Sequence, residues 1–152
     1  MQTMKKSKRL QPVRQIVENK ANDAAKAMVE ARQTRDAHQA KLKSLIEYKQ
    51  DYLVQFQERA KGGISAAQLH HYQSFIAQLE MAISQQEEVV KQAGQTLDQR
   101  QHHWRNKHNH KKAMDKVVTR YQKAEQKQAD KREQAQLDEH NTQAHQRKKS
   151  SD

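Results

Sequence analysis

The sequence predicts an all-α protein: a long antiparallel two-helix coiled-coil hairpin with a single-helix or disordered C-terminal overhang. Of the 152 residues, 34% are hydrophobic and 5% aromatic, which is too little apolar material for a globular core of ordinary domain size. Residues that form helices well dominate the chain, which has three glycines and one proline. Apolar residues also recur with heptad spacing on both sides of one Gly-Gly turn.

The heptad spacing defines two stretches, seam 1 and seam 2, which polar side chains interrupt. Steps of four and three residues alternate along both, and such sustained heptads indicate a coiled coil rather than an isolated amphipathic helix. Seam 1 comprises Leu10, Arg14, Val17, Ala21, Ala24, Met28, Ala31, Arg35, His38, Leu42, Leu45, Lys49, Tyr52 and Phe56. Seam 2 comprises Leu69, Tyr72, Ile76, Leu79, Ile83, Gln86, Val90, Ala93, Leu97, Arg100, Trp104, Lys107, Lys111, Met114, Val118 and Tyr121.

A hinge turn is predicted between the seams, at Gly62, Gly63 and Ser65. A glycine here can take the left-handed backbone conformation that ends one helix, and Ser65 can cap the next helix. Gln68 stands three residues after Ser65 and completes a Ser-x-x-Gln capping box. The chain is therefore expected to reverse direction at this point.

The two seams match in length when the chain pairs about Gly63. Leu10 then lies opposite position 116, close to the end of seam 2, which favours an intramolecular hairpin over two separate dimeric coils. The predicted organisation is a basic N-terminal arm (1–9), a first coiled-coil helix (10–61), a hinge turn (62–64), a second coiled-coil helix (65–121) and a polar helical overhang and tail (122–152).

The net charge of +11 is concentrated in two segments. Residues 1–9 carry +4, and residues 100–123 carry eight basic side chains against one acidic, whereas 10–99 and 124–152 are balanced. Pairing the helices brings both basic segments to the end away from the hinge. Acidic proteins, nucleic acids and anionic membranes are candidate partners, and a solvated basic face without a partner is the alternative.

Nothing in the sequence favours catalysis or metal binding. His102, His103, His108 and His110 lack the i, i+3 or i, i+4 spacing of ligands on one helix, and the chain has no cysteine. A two-helix hairpin has no cleft, and no nucleophile stands beside a base. No stretch approaches the ~20 apolar residues of a membrane span. We expect a soluble, non-catalytic protein without cofactor or metal that binds other proteins.

Near the hinge, the sequence carries more apolar surface than one seam can bury. Tyr48 and Phe75 each stand one position before a seam residue, where aromatic side chains often anchor an interface. The alternative is that they only widen the hairpin core. The apolar residues of this region are Leu45, Ile46, Tyr48, Tyr52, Leu53, Phe56, Leu69, Tyr72, Phe75, Ile76, Leu79, Ala82 and Ile83.

The sequence resembles the FliJ family of flagellar type III export proteins. The match covers most of the chain, in order and with the family's spacing. It is carried by LIEYKQDY at 45–52, the Gly-Gly-Ile-Ser turn at 62–65, YQSFIAQLEMAI at 72–83, WRNK at 104–107 and the stretch 114–121.

The resemblance implies a cytoplasmic protein, peripheral at the cytoplasmic face of the inner membrane, whose coiled coil is similar to the gamma-subunit stalk of rotary ATPases. The implied partners are the ring ATPase FliI, its regulator FliH, the cytoplasmic domain of the export gate protein FlhA, and empty export chaperones. The family's gate-binding patch near the hinge corresponds to Leu45, Tyr48, Tyr52, Phe75, Leu79 and Ala82.

Charge and resemblance combine into one hypothesis, in which the cationic end binds the ATPase ring and the hinge end binds the gate. The longer basic N-terminal arm departs from the family's pattern. The cationic residues are Lys5, Lys6, Lys8, Arg9, Lys107, Lys111, Lys112 and Lys116.

Two other functions remain open at this point. The first is the equivalent stalk protein of a virulence type III secretion system, with the same architecture and different cargo. The second is a nucleic-acid-binding coiled coil, which the net charge of +11 and the basic residues at 5–9 support. The balance of acidic and basic side chains along 10–99 argues against nucleic-acid binding.

Overall fold

A computed structural model describes residues 4–151 and contains two long helices, with no strand in that part of the chain. Helix α1 spans Lys6–Ala60, 55 residues, and helix α2 spans Ala66–Ser150, 85 residues. The two helices pack against each other in antiparallel orientation, so the predicted all-α helical hairpin is confirmed. No helix among the described residues is both long and apolar enough to cross a membrane.

The turn between the helices depends on Gly63. Its φ of 86° lies in the left-handed region, where side chains other than glycine are strained. The Gly63 N–H donates a 3.0 Å hydrogen bond to the carbonyl of Ala60, and the Gly62 N–H donates a 3.3 Å bond to the carbonyl of Arg59. These bonds satisfy two of the carbonyls that the end of α1 would otherwise leave without a partner.

Ser65 caps the first turn of α2 through both bonds of the predicted capping box. The Gln68 N–H donates to Ser65 Oγ at 3.1 Å, and the Ser65 N–H donates to Gln68 Oε1 at 2.9 Å. The Leu69 N–H donates to the Ser65 carbonyl at 3.0 Å, which is the first backbone bond of the helix. Two N–H groups at this helix start are therefore satisfied within four residues of sequence.

The start of the first helix differs from the predicted segment, whereas the expected overhang is helical as predicted. Helix α1 begins at Lys6 rather than at Leu10, so most of the described part of the expected arm is helical. Helix α2 continues without interruption through the expected overhang to Ser150. Residues 1–3 of the expected arm and residue 152 of the expected tail lie outside the described residues.

The chain divides into two compact units, each built from parts of both helices. Among the described residues, unit 1 contains 4–21 with 107–151, and unit 2 contains 22–106. In unit 1 the buried apolar side chains are Val17, Ala21 and Val118, of which Val118 is 1% exposed. Arg14, which interrupts seam 1, forms a 2.9 Å ion pair with Asp115 of α2.

In unit 2 the buried apolar side chains are Ala24, Leu79 and Leu97. Two polar interruptions of the seams are paired across the two helices in this unit. Lys49 forms a 3.2 Å ion pair with Glu80. Buried Gln86 donates a 2.9 Å hydrogen bond from its amide nitrogen to the backbone carbonyl of His38.

Candidate functional site

Five aromatic side chains of unit 2 form a continuous group, which we call the aromatic cluster: Tyr48, Tyr52, Phe56, Tyr72 and Phe75. Tyr52 stacks on Tyr72 with ring centroids 5.6 Å apart, and Phe56 stacks on Tyr72 at 3.5 Å. Tyr52 also contacts Phe75 at 4.5 Å in a tilted arrangement. Tyr48 meets Phe75 edge to face at 6.1 Å. The cluster thus links α1 and α2 through alternating rings from each helix.

Tyr48 is the member of the aromatic cluster that faces solvent most clearly, since 53% of it is exposed. It touches Phe75 and still presents more than half of its surface, so it both widens the core and offers an apolar ring to a partner. Tyr52 and Phe75 are half-buried. Tyr48 therefore packs against Phe75 of the other helix while more than half of its surface remains accessible.

The remaining residues of the predicted gate-binding patch differ in what they can offer a partner. Leu45 and Ala82 are half-buried and keep some accessible surface. Leu79 is 7% exposed and belongs to the hairpin core. Its side chain has almost no surface for a partner, because its seam position points toward α1. Truncating Leu79 would disturb the hairpin before it could report on binding.

The predicted cationic residues all lie in unit 1, on both of its helix segments. Those on α1 and before it are exposed, namely Lys5, Lys6, Lys8 and Arg9. On α2, Lys112 and Lys116 are exposed, whereas Lys107 and Lys111 are partly covered at seam positions. The two segments are held together by the Arg14–Asp115 ion pair described above.

One basic side chain of this group packs on an aromatic ring. The Lys6 ammonium lies 5.5 Å from the centroid of the Tyr121 ring, a cation–π distance. Lys6 and Tyr121 line an open pocket of about 320 Å³ together with Arg9 and Leu10. The pocket therefore has two cationic side chains beside an apolar side chain and an aromatic ring, which suits a carboxylate carried by an apolar segment.

Ser7 joins the start of α1 to Glu125 of α2. The Ser7 hydroxyl donates to one carboxylate oxygen at 2.6 Å, and the Ser7 N–H donates to the other at 3.1 Å. The side-chain hydrogen bond from Ser7, then its backbone bond and the nearby charges of Lys5 and Lys8, lower the pKa of Glu125. Past Glu125, α2 is exposed as far as Ser150.

Gln86 is buried, as its seam position predicts, and bonds to α1. Sequence reasoning missed three exposed aliphatic residues. Val13, Ile16 and Val117 of unit 1 are exposed at 43%, 54% and 37%. These three residues stand beside the seams, so the heptad pattern assigns them no partner. On α1, the spacing of Val13 and Ile16 from Lys6 and Arg9 is the feature of the sequence that indicates a second stripe.

The histidines do not assemble into a metal site. Among the described residues, no group of three or more His, Asp or Glu side chains is arranged to hold a metal ion.

Trp104 is half-buried, as its seam position predicts.

Comparison with known proteins identifies the family. The model of the flagellar FliJ protein family matches residues 5–150, which is nearly the whole chain. This chain belongs to the FliJ family. It is similar to the flagellar FliJ proteins of Escherichia coli K12 and Salmonella typhi, each 31% identical over 98 residues, which cover 64% of this chain and 67% of each relative. No solved structure matches the chain.

FliJ membership makes the chain a component of the flagellar protein export apparatus, with a role in flagellum biogenesis. The expected relationship to a known family is thereby confirmed, and with it the coiled-coil fold. The roles of the individual side chains of the aromatic cluster and of the cationic group have to be argued from their geometry.

Proposed function

We propose that the chain is a non-catalytic, gamma-subunit-like stalk protein that couples the export ATPase ring to the export gate. Its aromatic cluster in unit 2 binds the cytoplasmic domain of the gate protein FlhA. Its cationic side chains in unit 1 bind the ring ATPase FliI together with the regulator FliH. It works in the cytoplasm, at the cytoplasmic face of the inner membrane, and escorts empty export chaperones as the family resemblance implies.

The observation that carries the gate contact is the exposure of Tyr48. A tyrosine that is 53% exposed, and whose ring is held by an edge contact to Phe75, is oriented before a partner arrives. Tyrosine loses few degrees of freedom on binding and buries a large area, so it is a frequent interface anchor. The half-buried rings of Tyr52 and Phe75 extend this surface along the hairpin.

The ATPase contact is supported by the charge of unit 1. Residues 4–21 and 107–124 each carry six Lys or Arg side chains and one carboxylate. Such an excess accelerates association with an acidic partner and weakens with salt. The same charge would also attract nucleic acid, so the test of this contact has to include a nucleic-acid competitor.

The experiment measures binding of the purified chain to the FlhA cytoplasmic domain and, separately, to the FliI ring, at low and moderate salt with random duplex DNA as competitor. Tyr48→Ala is expected to weaken gate binding at least about tenfold and to leave ATPase binding unchanged. Val54→Ala is the matched control, because Val54 lies on the same helix and unit and is 59% exposed.

The cationic contact is tested by neutralising Lys111, Lys112 and Lys116 together to glutamine. ATPase binding should fall and gate binding should stay, whereas the same charge change at Lys127, Lys131 and Arg132, farther along α2, should alter neither. If either triple variant lost ATPase binding and gate binding equally, the two-surface proposal would be contradicted. Binding of DNA alone, without either protein, would contradict both proposed contacts.

A further inference from the structure

A stripe of α1 in unit 1 repeats heptad spacing beside seam 1. Its positions are Lys6, Arg9, Val13, Ile16 and Lys20, at alternating steps of three and four residues. Val13 and Ile16, in the middle of the stripe, are 43% and 54% exposed although both are aliphatic. Steps of three and four residues keep side chains in line along one helix face, over about 21 Å from Lys6 to Lys20 at ~1.5 Å per residue.

Helix α2 supplies a second wall beside this stripe. Tyr121 lines the same pocket as Lys6 and Arg9, which places its ring beside the start of the stripe. One turn along α1 from Arg9 is Val13, and one turn back along antiparallel α2 from Tyr121 is Val117, which is 37% exposed. Helical spacing therefore places the stripe and these two α2 residues on one side of the helix pair, and we call this surface the unit 1 groove.

Basic side chains outnumber carboxylates around the unit 1 groove. Residues 4–23 carry six Lys or Arg side chains against Glu18 and Asp23, and residues 107–125 carry six against Asp115 and Glu125. The Glu125 carboxylate accepts both hydrogen bonds of Ser7 near the start of the stripe. Asp115 is bound by Arg14 at 2.9 Å on the opposite flank of the helix pair. Glu18 stands two positions after Ile16, about 200° around the helix. The stripe is therefore apolar in the middle, with Lys6 and Arg9 at one end and Lys20 at the other, and Glu125 offsets part of the charge at the first end.

We propose that the unit 1 groove docks a third helix, an amphipathic helix of another protein with aliphatic residues in its middle and carboxylates toward both ends. Heptad spacing is what a packed helix requires, whereas a lipid surface needs only an apolar face with cations around it. A second copy of this chain would bring the same cations and is repelled. The chain's own residues 126–150 continue α2 as one helix and cannot fold back into the groove.

This inference goes beyond the proposed function, because it assigns a class of binding partner to aliphatic side chains that neither proposed contact uses. The test is also separate, because the binding probe is a synthetic peptide. A peptide that does not bind would leave the ATPase and gate results valid, and failure of ATPase or gate binding would not contradict peptide binding at the groove.

The experiment measures binding of the full-length chain, by fluorescence anisotropy, to a labelled helical peptide of about five turns. The peptide carries leucines at heptad positions in its middle and glutamates near both ends. We expect saturable binding, weakened at least about tenfold by Val13→Gln with Ile16→Gln. Val29→Gln is the matched control, since Val29 is a valine of the same helix, lies in unit 2 and is 44% exposed. Far-UV circular dichroism should be unchanged in all variants, because every substituted side chain is on the surface.

Charge reversal provides the second arm. Arg9→Glu with Lys20→Glu should lose the acidic peptide and bind a peptide in which lysines replace the glutamates. Equal binding of a sequence-scrambled acidic peptide, or binding unaffected by Val13→Gln with Ile16→Gln, would overturn the proposal. A third measurement uses vesicles that contain anionic lipid. If the chain binds the vesicles but not the peptide, and the same substitutions abolish vesicle binding, the groove is a membrane-binding surface instead.

Discussion

The Ser7 hydroxyl donates a 2.6 Å hydrogen bond to Glu125, a residue 118 positions away on the other helix. Ser7 is the second residue of α1, and its N–H, which has no acceptor within the helix, donates to the same carboxylate at 3.1 Å. The first turn of α1 has no acidic residue of its own. Glu125 therefore provides the N-terminal cap and the favourable negative charge from the partner helix.

A double-mutant cycle tests whether the two residues act together. Ser7→Ala and Glu125→Gln should each lower the Tm, and the double variant should lose less than the two single losses added together. Thermal unfolding followed by circular dichroism measures this. Glu133→Gln, at an exposed position farther along α2, should leave the Tm unchanged. Strictly additive losses would show that the two side chains do not interact in solution.

The pKa of Glu125 predicts how this contribution depends on pH. The hydrogen bonds from Ser7 lower the pKa below its ordinary value of 4.5. A carboxyl group whose pKa is lowered by folding stabilises the fold above its unfolded-state pKa and loses that effect as the pH falls through its folded-state pKa. The Tm difference between the native chain and Glu125→Gln should be largest near neutral pH and shrink below pH 4.5. A difference that is constant from pH 7 to pH 3 would contradict the assigned contact.

The turn allows a comparison of two adjacent glycines. Gly63 has a φ of 86°, and Gly63→Ala should lower the unfolding free energy by about 1 to 2 kcal/mol, although a Cβ there would meet no atom within 4 Å. At Gly62, a Cβ would lie 3.8 Å from the Arg59 carbonyl oxygen, an ordinary contact. Gly62→Ala should therefore be neutral or slightly stabilising. Urea unfolding gives both values, and equal effects of the two substitutions would contradict the backbone assignment.

Gly94 offers a stabilising substitution inside α2. A Cβ at this position would meet no atom within 4 Å, so alanine can be added without a clash. Alanine is favoured over glycine within a helix by about 0.8 to 1 kcal/mol. Gly94→Ala should raise the urea midpoint without changing the slope of the transition. A lowered midpoint would mean that the hairpin requires glycine there for close packing.

The sequence was sufficient to predict those parts of the fold that depend on local chemistry. The capping box of Ser65 and Gln68 spans four residues, and the seams follow from spacing alone, so both could be seen before the structure. The start of α1 at Lys6 could not be predicted, because the hydrogen bonds of Ser7 there go to Glu125 of the other helix. No residue close to Ser7 in the sequence indicates that partner.

The candidate sites are less predictable, since the family resemblance groups seam and flank residues in one patch. Tyr48, beside seam 1, is 53% exposed, whereas Leu79, on seam 2, is only 7% exposed. The polar residue Arg14 interrupts seam 1 in the sequence, and only the structure shows that it pairs with Asp115. Pairing between side chains of the two helices depends on how far one helix is shifted along the other, which spacing within one helix does not specify.

The central claim is that separate surfaces of one chain bind the export ATPase and the export gate. Analytical ultracentrifugation of the chain mixed with both the FliI ring and the FlhA cytoplasmic domain tests it most directly. The account predicts one species that contains all three proteins, from which Tyr48→Ala releases only the gate domain. Mutually exclusive binding, in which added gate domain displaces the ATPase, would contradict it.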